Sequence, residues 1–334
     1  MSKSRDPSEI DKAVQPFCGV DMKKNKLGYR KLKIAEFKFN VVACTLGSTV
    51  SLSDYIPPEE PFTHVIVDEA GQAPEMNIWL AMAYFVTPET RLILAGDPMQ
   101  LGPVTTVKML EEPRFGYKIS MLARLNGYKS FIENPHNMIT LTKNYRSHKA
   151  IVDIFSSLFY NSSLEHMEPQ GHDSLCRWSR LPKVNFPVMF HNVAGKVNRD
   201  GKMSSSNKAE ADVVVNYVKS LILGNIEETD IGIVSPYKSQ AALVRKCLNL
   251  KKESKLTVES VEKFQGSERR IILLTAVRNG KELGFLRDPK RLNTALSRAQ
   301  HLLVVIGHAP SLNALPDWKK FIDYCKSNGS FVKK

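Results

Sequence analysis

The stretch Thr63-His64-Val65-Ile66-Val67-Asp68-Glu69-Ala70-Gly71-Gln72 is what most constrains the fold of this chain. Val65, Ile66 and Val67 are β-formers and too few for a globular helix, so the run predicts a buried strand of a parallel sheet. It ends abruptly in two carboxylates. In open α/β sheets ligands sit outside the carboxyl ends of the strands, which is where Asp68 and Glu69 fall. Adjacent acids there suit a magnesium–nucleotide site, one holding the hard cation and the other orienting or deprotonating an attacking water. Alone, the pair would be no more than an acidic turn. A second apolar run, Arg91-Leu92-Ile93-Leu94-Ala95, leads into Gly96-Asp97-Pro98-Met99-Gln100-Leu101 and supplies a neighbouring strand end.

The length of 334 residues predicts two lobes of about 150 residues each. A formal charge of +13 points to a polyanionic partner. The excess is uneven: Arg245 to Arg298 holds 14 Lys/Arg against 6 Asp/Glu. A solvated basic face is the plain alternative to a nucleic-acid track there. Five scattered cysteines without a C-x₂-C pair argue for reduced thiols in a cytosolic or nuclear setting and against structural zinc. No run approaches a membrane span, and the start is polar.

In order, residues 1–39 form a basic margin. Asn40 to Leu46 reads as the first strand, with Gly47-Ser48-Thr49 at its carboxyl end, where hydroxyls can donate to a phosphate oxygen. Pro57-Pro58 marks the loop into the Asp68 strand. Helices are expected over Glu75 to Ala83 and around Ile119 to Leu125. A new unit opens near Ile139, where Ser147 is placed to cap a helix through Ile151, Ile154, Phe155 and Leu158. Residues 161–185 read as a surface loop and Gly195 to Asn207 as a flexible excursion. Strands follow at Phe186–Phe190, Ile231–Val234, Leu256–Val258, Ile271–Leu274 and Leu302–Ile306. Helices are expected at Ala209–Leu223, Gln240–Leu248, Arg291–Gln300 and Leu312–Cys325. Short β-runs separated by helical patterns give an α/β chain of βαβ units.

Splitting a phosphoanhydride needs magnesium, an activated water, a γ-phosphate sensor and cations against the charge spreading in the transition state. Asp68 and Glu69 can supply the first two. Gln100 can bond phosphate and water, and Arg146 and Arg298 are the candidate cations. Gly266 permits a close turn, and Glu268 can accept from a ribose hydroxyl.

Asp68 through Gln72, Gly96 through Pro103, Asn144-Tyr145-Arg146-Ser147-His148, Ser260 through Glu268 and Leu292 through Ala299 stand in the order found in the Upf1-like group of superfamily 1 RNA helicases. The chain resembles that group over residues 40 to 308, and most resembles its MOV10/SDE3/Armitage branch of RNA-silencing helicases. The resemblance implies magnesium at Asp68, water activation at Glu69, γ-phosphate sensing at Gln100, arginine fingers at Arg146 and Arg298, and a nucleotide contact at Glu268. It places Thr45, Ser48, Pro236, Tyr237 and Thr257 near the nucleic-acid track. It also implies tandem RecA-like lobes of the P-loop NTPase type, ATP-driven 5′-to-3′ movement on single-stranded RNA, and service with small-RNA pathway proteins in the cytoplasm and its ribonucleoprotein granules.

One departure is large. The phosphate loop G-x-x-x-x-G-K-[ST] occurs nowhere in the 334 residues. Gly195-Lys196, Gly201-Lys202 and Gly280-Lys281 lack its spacing. The expectation is therefore an incomplete first lobe over residues 40–135, a second lobe over 136–334, and a chain that does not turn over ATP by itself. A passive single-stranded nucleic-acid or protein-binding module, monomeric, is the competing reading.

Overall fold

A computed structural model of the chain describes residues 40–53, 62–105, 107–168, 171–199, 204–264 and 266–333. The basic margin, Pro57-Pro58, Gly201-Lys202 and Gln265 lie outside them. The described chain divides into two compact units, the first ending at Gly96 and resuming over Pro103–Arg124, the second comprising Asp97–Gly102 and Leu125–Lys334.

In the first unit, β1 (His64–Val67) pairs in parallel with β2 (Arg91–Leu94), with Val67 opposite Leu94. They are joined through α2 (Glu75–Phe85), which follows the short α1 (Thr49–Leu52). α2 buries Ile78, Ala81 and Phe85. Glu75 in its first turn takes a two-pronged hydrogen bond from Arg124, at 2.9 and 2.7 Å, fixing the segment that ends in α3 (Met121–Leu125). The strand expected over Asn40 to Leu46 does not form. Asn40 to Thr45 is irregular, Leu46–Ser48 is a 3₁₀ turn, and Val41 is 84 % exposed. β-forming residues make a strand only where a neighbour completes their ladder, and among the described residues none flanks this segment.

The second unit is built on a six-stranded, all-parallel sheet. Before it come α4 (Lys129–Ile132), the two-residue pair β3 (Lys143–Asn144) and β4 (Glu165–His166), and between them α5 (Lys149–Phe159). The sheet's strands are β5 (Val188–Asn192), β8 (Ile231–Ser235), β9 (Thr257–Ser260), β10 (Arg269–Thr275), β11 (Ala299–Gly307) and β12 (Phe331–Val332), in the order β12-β5-β11-β10-β8-β9. The hairpin β6 (Val197–Arg199) and β7 (Ser205–Asn207) precedes α6 (Lys208–Leu223). The remaining crossovers use α7 (Lys238–Cys247), α8 (Pro289–Leu296), α9 (Ala309–Leu312) and α10 (Pro316–Ser327). A parallel sheet is covered on both faces because every connection must cross one of them. Alternation follows. Ile272, Leu274, Leu303 and Val305 enter one core with α5, α8 and α10, and Ile271, Leu273, Leu302 and Val304 enter the other with α6 and α7.

Four expectations are corrected here. Gly195 to Asn207 is not an excursion in its described part: Val197–Arg199 ladders against Ser205–Asn207. Its serines present hydroxyls while the backbone is paired, so polarity misled. The helix after Tyr145 is capped by His148, whose ring accepts from the Ala150 N–H at 3.0 Å, whereas Ser147 donates its hydroxyl to the Ala299 carbonyl at 2.7 Å. The helix expected to reach Gln300 stops at Leu296, because Ala299 and Gln300 already ladder in β11. The expected surface loop over residues 161–185 carries β4 and a 3₁₀ turn, His172–Leu175, and buries Leu175, Cys176 and Leu181.

A polar clasp fastens α6 to the carboxyl end of β10. The Glu210 carboxylate is fully buried and accepts from Thr275 Oγ1 at 2.6 Å, Val277 N at 2.8 Å and Asn207 Nδ2 at 3.2 Å. Asn207, the helix cap, accepts in turn from the Glu210 N–H. Gln240 joins it through Asn207 N and Thr275 Oγ1, at 2.8 and 3.1 Å. Burial pushes the Glu210 carboxyl up to about 7 from 4.5, held back by these donors. A raised acid favours the folded state below the unfolded value and loses that contribution as pH rises through the folded one. Unfolding free energy should fall by about 3 kcal/mol between pH ~4.5 and ~7 on this group's account. Urea titrations across that range should show this component vanish in Glu210→Gln; an unchanged pH slope in the variant would refute the assignment.

Candidate functional site

In the first unit the acidic turn is held by backbone before any side chain acts. Ala70 N–H donates to the Ala95 carbonyl at 2.8 Å, tying the end of β1 to the end of β2. Gly96 makes this approach possible, since a Cβ there would lie 2.8 Å from Gly71 N and 2.9 Å from Ala70 N. Asp68 and Glu69 are exposed, with Glu69 in the left-handed region at φ 52°. Asp68 Oδ1 accepts from the Glu69 N–H at 2.9 Å, and Glu69 Oε2 from Gln72 Nε2 at 2.8 Å. This leaves Asp68 Oδ2 as an exposed hard oxygen of the kind magnesium prefers. Thr45 and Ser48, also exposed, bond to each other through their hydroxyls at 2.8 Å.

The second unit gathers four of the sequence-predicted residues at the amino edge of its sheet. Glu268 directly precedes β10, and Arg298 directly precedes the adjacent β11. Arg298 lies in the turn beyond α8 rather than on the helix face that the sequence suggested. It is 4 % exposed and donates through Nε to the Thr294 carbonyl at 2.9 Å and through Nη2 to Gln100 Oε1. Gln100 Nε2 donates to Asp97 Oδ2 at 2.9 Å, so both ends of its amide are assigned. Asp97 also accepts from the Tyr160 hydroxyl at 2.5 Å, and Tyr160 from Asn293 Nδ2 at 2.7 Å. Burial, then Asp97, raises the Tyr160 phenol, keeping it protonated as a donor. Leu101 N donates to Thr294 Oγ1 at 3.1 Å, completing the seat of the Asp97–Gly102 segment.

Arg146 and Glu268 form an ion pair, Nη2 to Oε2 at 3.2 Å, both partly exposed. Asn144 Oδ1 accepts from the N–H groups of Arg146 and Ser147, and the Ser147 and His148 bonds to Ala299 and Gln300 pin the turn to β11. Lys143, Tyr145, His172 and His301 complete the lining of an open cleft around the pair. Burial, then Arg270, lowers His301 to about 4, so its ring adds no positive charge beside Arg146 near neutrality. Gly266 sits in the left-handed region at φ 68° in the loop before Glu268.

Pro236 and Tyr237 follow β8 at the opposite, carboxyl edge. Tyr237 is 1 % exposed and donates its hydroxyl to the Leu283 carbonyl at 3.3 Å. Thr257 opens β9, where its hydroxyl accepts from Arg269 Nη2 at 3.0 Å. Among the described residues one cluster has metal-ligand composition: the ligand atoms of His148, Asp173 and Cys176 lie within 4.8 Å of one another. The Ala150 N–H on His148 Nδ1 puts the ring proton on Nε2, which faces Asp173 at 3.2 Å. In that tautomer His148 Nε2 lies 3.2 Å from Asp173 Oδ1 and 3.5 Å from Cys176 Sγ, so the three side chains form a hydrogen-bonded cluster. Sequence reading missed Tyr160, a polar residue without a periodic signal, and carried Asp97 only as part of the Gly96–Pro103 motif, without a role.

Residues 117–310 match the family model AAA_12, described as an AAA domain, and residues 22–108 match AAA_11, also an AAA domain. The chain belongs to the AAA-domain family. It is 35 % identical to putative helicase MOV-10 of Gallus gallus, over 99 % of this chain and 38 % of that protein. It is 34 % identical to RNA helicase Mov10l1 of Homo sapiens, over 96 % of this chain and 28 % of that protein, and 31 % identical to probable RNA helicase armi of Drosophila melanogaster, over 89 % and 27 %. The resemblance read from the motifs is thus homology to MOV10/Armitage-type helicases over most of the chain, with the α/β, parallel-sheet architecture of AAA and P-loop NTPase domains. The chain spans less than two fifths of the length of these relatives.

Tyr160→Phe tests the buried network of this AAA unit. It leaves Asp97 and Asn293 each short of a partner, for which the expected cost is about 1–3 kcal/mol. Chemical unfolding of wild type and variant measures it, and a difference below ~0.5 kcal/mol would mean that the network is not held together by the phenol.

Proposed function

We propose that the chain is the ATPase-and-grip portion of an ATP-dependent RNA helicase working on single-stranded RNA in small-RNA silencing. The observation that carries this reading is the gathering of Gln100, Arg146, Glu268 and Arg298, distant in sequence, on the amino edge of adjacent strands β10 and β11. A γ-phosphate reader, two guanidinium groups and a ribose acceptor are what nucleotide hydrolysis asks of one surface. In this reading Asp68 holds magnesium, which when bound neutralises phosphate charge. Glu69 orients and deprotonates the attacking water. Gln100 senses the γ-phosphate with Arg298 behind it, Arg146 exchanges Glu268 for phosphate, and Gly266 and Glu268 border the nucleotide. Thr45, Ser48, Pro236 and Tyr237 border the RNA track, with 5′-to-3′ movement following lobe closure and opening, whereas Thr257 lies at the amino end of β9, on the opposite edge from Tyr237. Work in the cytoplasm and its ribonucleoprotein granules, beside small-RNA pathway proteins, belongs to the same proposal.

In a chain carrying a phosphate loop ahead of residue 40, RNA-stimulated ATP turnover should fall at least ~100-fold on Glu69→Gln. Wild-type-like turnover in that variant would remove Glu69 from the role.

The absence of G-x-x-x-x-G-K-[ST] from these 334 residues favours a second reading, a passive single-stranded RNA-binding module. The 334-residue chain should then show no ATP hydrolysis above an Asp68→Ala control. It should bind RNA with an affinity that drops steeply between ~50 and ~200 mM salt and ignores ATP. Hydrolysis above that control would return the catalytic role to this chain.

A further inference from the structure

The turn after β10 is strained and yet over-determined. Val277, a β-branched residue, sits in the left-handed region at φ 72°, a conformation that costs of order 1–3 kcal/mol and persists only where its surroundings impose it. The imposing group is Glu210, which takes the Val277 N–H at 2.8 Å and is itself locked by Thr275 and Asn207. The next residue is Arg278. Its guanidinium lies 4.9 Å from the centre of the buried Tyr237 ring, and among the described residues its Nη1 reaches only the Glu282 carbonyl, at 3.4 Å. Gly284 leaves room for it, since a Cβ there would lie 2.9 Å from both Arg278 Nη1 and Tyr237 Oη. Arg278 Nε is buried without a hydrogen-bond partner. Among the described residues no carboxylate pairs with Arg278, while the nearby Glu282 is taken by Arg199 at 2.7 Å.

A guanidinium stacked on an aromatic face, seated by a strained turn and without a counter-charge among the described residues, is organised in advance for an anion. We propose that Arg278 is an anion-binding residue on the carboxyl edge of the second unit, that Glu210 is its positioning residue, and that the anion is a backbone phosphate of single-stranded RNA. The identity of the anion rests on the helicase reading above; the seat does not. Tyr237 serves in this arrangement as the platform beneath Arg278, which accounts for an aromatic residue at the strand end whose own ring is closed to bases.

The test is fluorescence anisotropy of a labelled single-stranded RNA with the 334-residue chain between ~50 and ~200 mM salt. Arg278→Ala, a change outside the core, should weaken binding roughly tenfold and reduce the salt slope by about 0.7, the signature of one lost phosphate. Glu210→Gln should shift affinity and slope in the same direction, and the double variant should be no weaker than Arg278→Ala alone, because the two act as one unit. A purely structural role for Glu210 would lower stability and leave the salt slope of the folded protein unchanged. Additive losses, an unaltered slope in either single variant, or displacement of the RNA by excess ATP would each overturn the inference while leaving the RNA-binding reading intact. No binding by the wild-type chain at the lower salt would overturn both.

Discussion

The burial of a parallel sheet on both faces is the constraint on which the rest of the second unit depends. Every residue from Ile271 to Thr275 is buried, as is every residue from Leu302 to Gly307. Such a sheet can keep polar chemistry only where its strands begin and end. The two core layers leave no room along Ile271–Thr275 for a charged side chain, so the charged residues beside that run are Glu268, Arg269 and Arg270 before it and Arg278 after it. At ~3.3 Å per residue, β10 holds these loops roughly 20 Å apart. Arg146, Glu268, Arg298 and Gln100 fall on one edge; Tyr237, Val277 and Arg278 fall on the other. The fold separates two chemistries before any ligand does.

At the amino edge hydrogen-bond direction settles which atoms remain for a ligand. Asp97 can only accept, so Gln100 must turn its Nε2 toward it and its Oε1 toward Arg298. The Tyr160 phenol, kept protonated by burial, gives Asp97 a second donor, and Asn293 fixes the phenol. Gln100 also hydrogen-bonds the Tyr160 side chain, so its amide is engaged on every side by Asp97, Tyr160 and Arg298. Arg146 differs: its partner Glu268 is half in solvent, where an ion pair contributes little and is readily exchanged. One arginine is therefore built in and the other is held loosely.

How much of this was legible in the sequence follows from what each signal encodes. Apolar runs such as Ile271–Leu274 and Leu302–Ile306 report strands buried on both faces, because no alternative structure hides them in so few residues. Asn40 to Leu46 is likewise rich in β-formers and fails, since composition carries no information on whether a ladder partner lies alongside. Ser147 looked like the cap because serine hydroxyls commonly are; the His148 ring took the position and released Ser147 to hold β11. The motif residues were identified, but their mutual contacts were not: nothing in the spacing of Arg146 and Glu268 says that they pair. Glu210 did leave a trace, since Asn207-x-x-Glu210 ahead of an apolar helix has the spacing of a capping box. That its carboxylate also accepts from Val277, 67 residues on, is a tertiary fact.

Under the helicase reading the two edges communicate through the sheet that joins them. β10 and β11 are held in register from Ile271 opposite Leu302 to Thr275 opposite Ile306, with β8 on the far side of β10. Close-packed interiors transmit displacement without stretching. A change at Glu268 or Arg298 therefore reaches Arg278 as a rigid-body motion of the whole sheet and not as a local wave through β10. The Glu210 clasp extends that rigidity past the strand end. Without it, Val277 would relax from its strained dihedral and Arg278 would move independently of the sheet. The buried carboxylate ties the turn that carries Arg278 to the sheet on which Glu268 and Arg298 stand, an arrangement that coupling a nucleotide cycle to a grip on a strand would require.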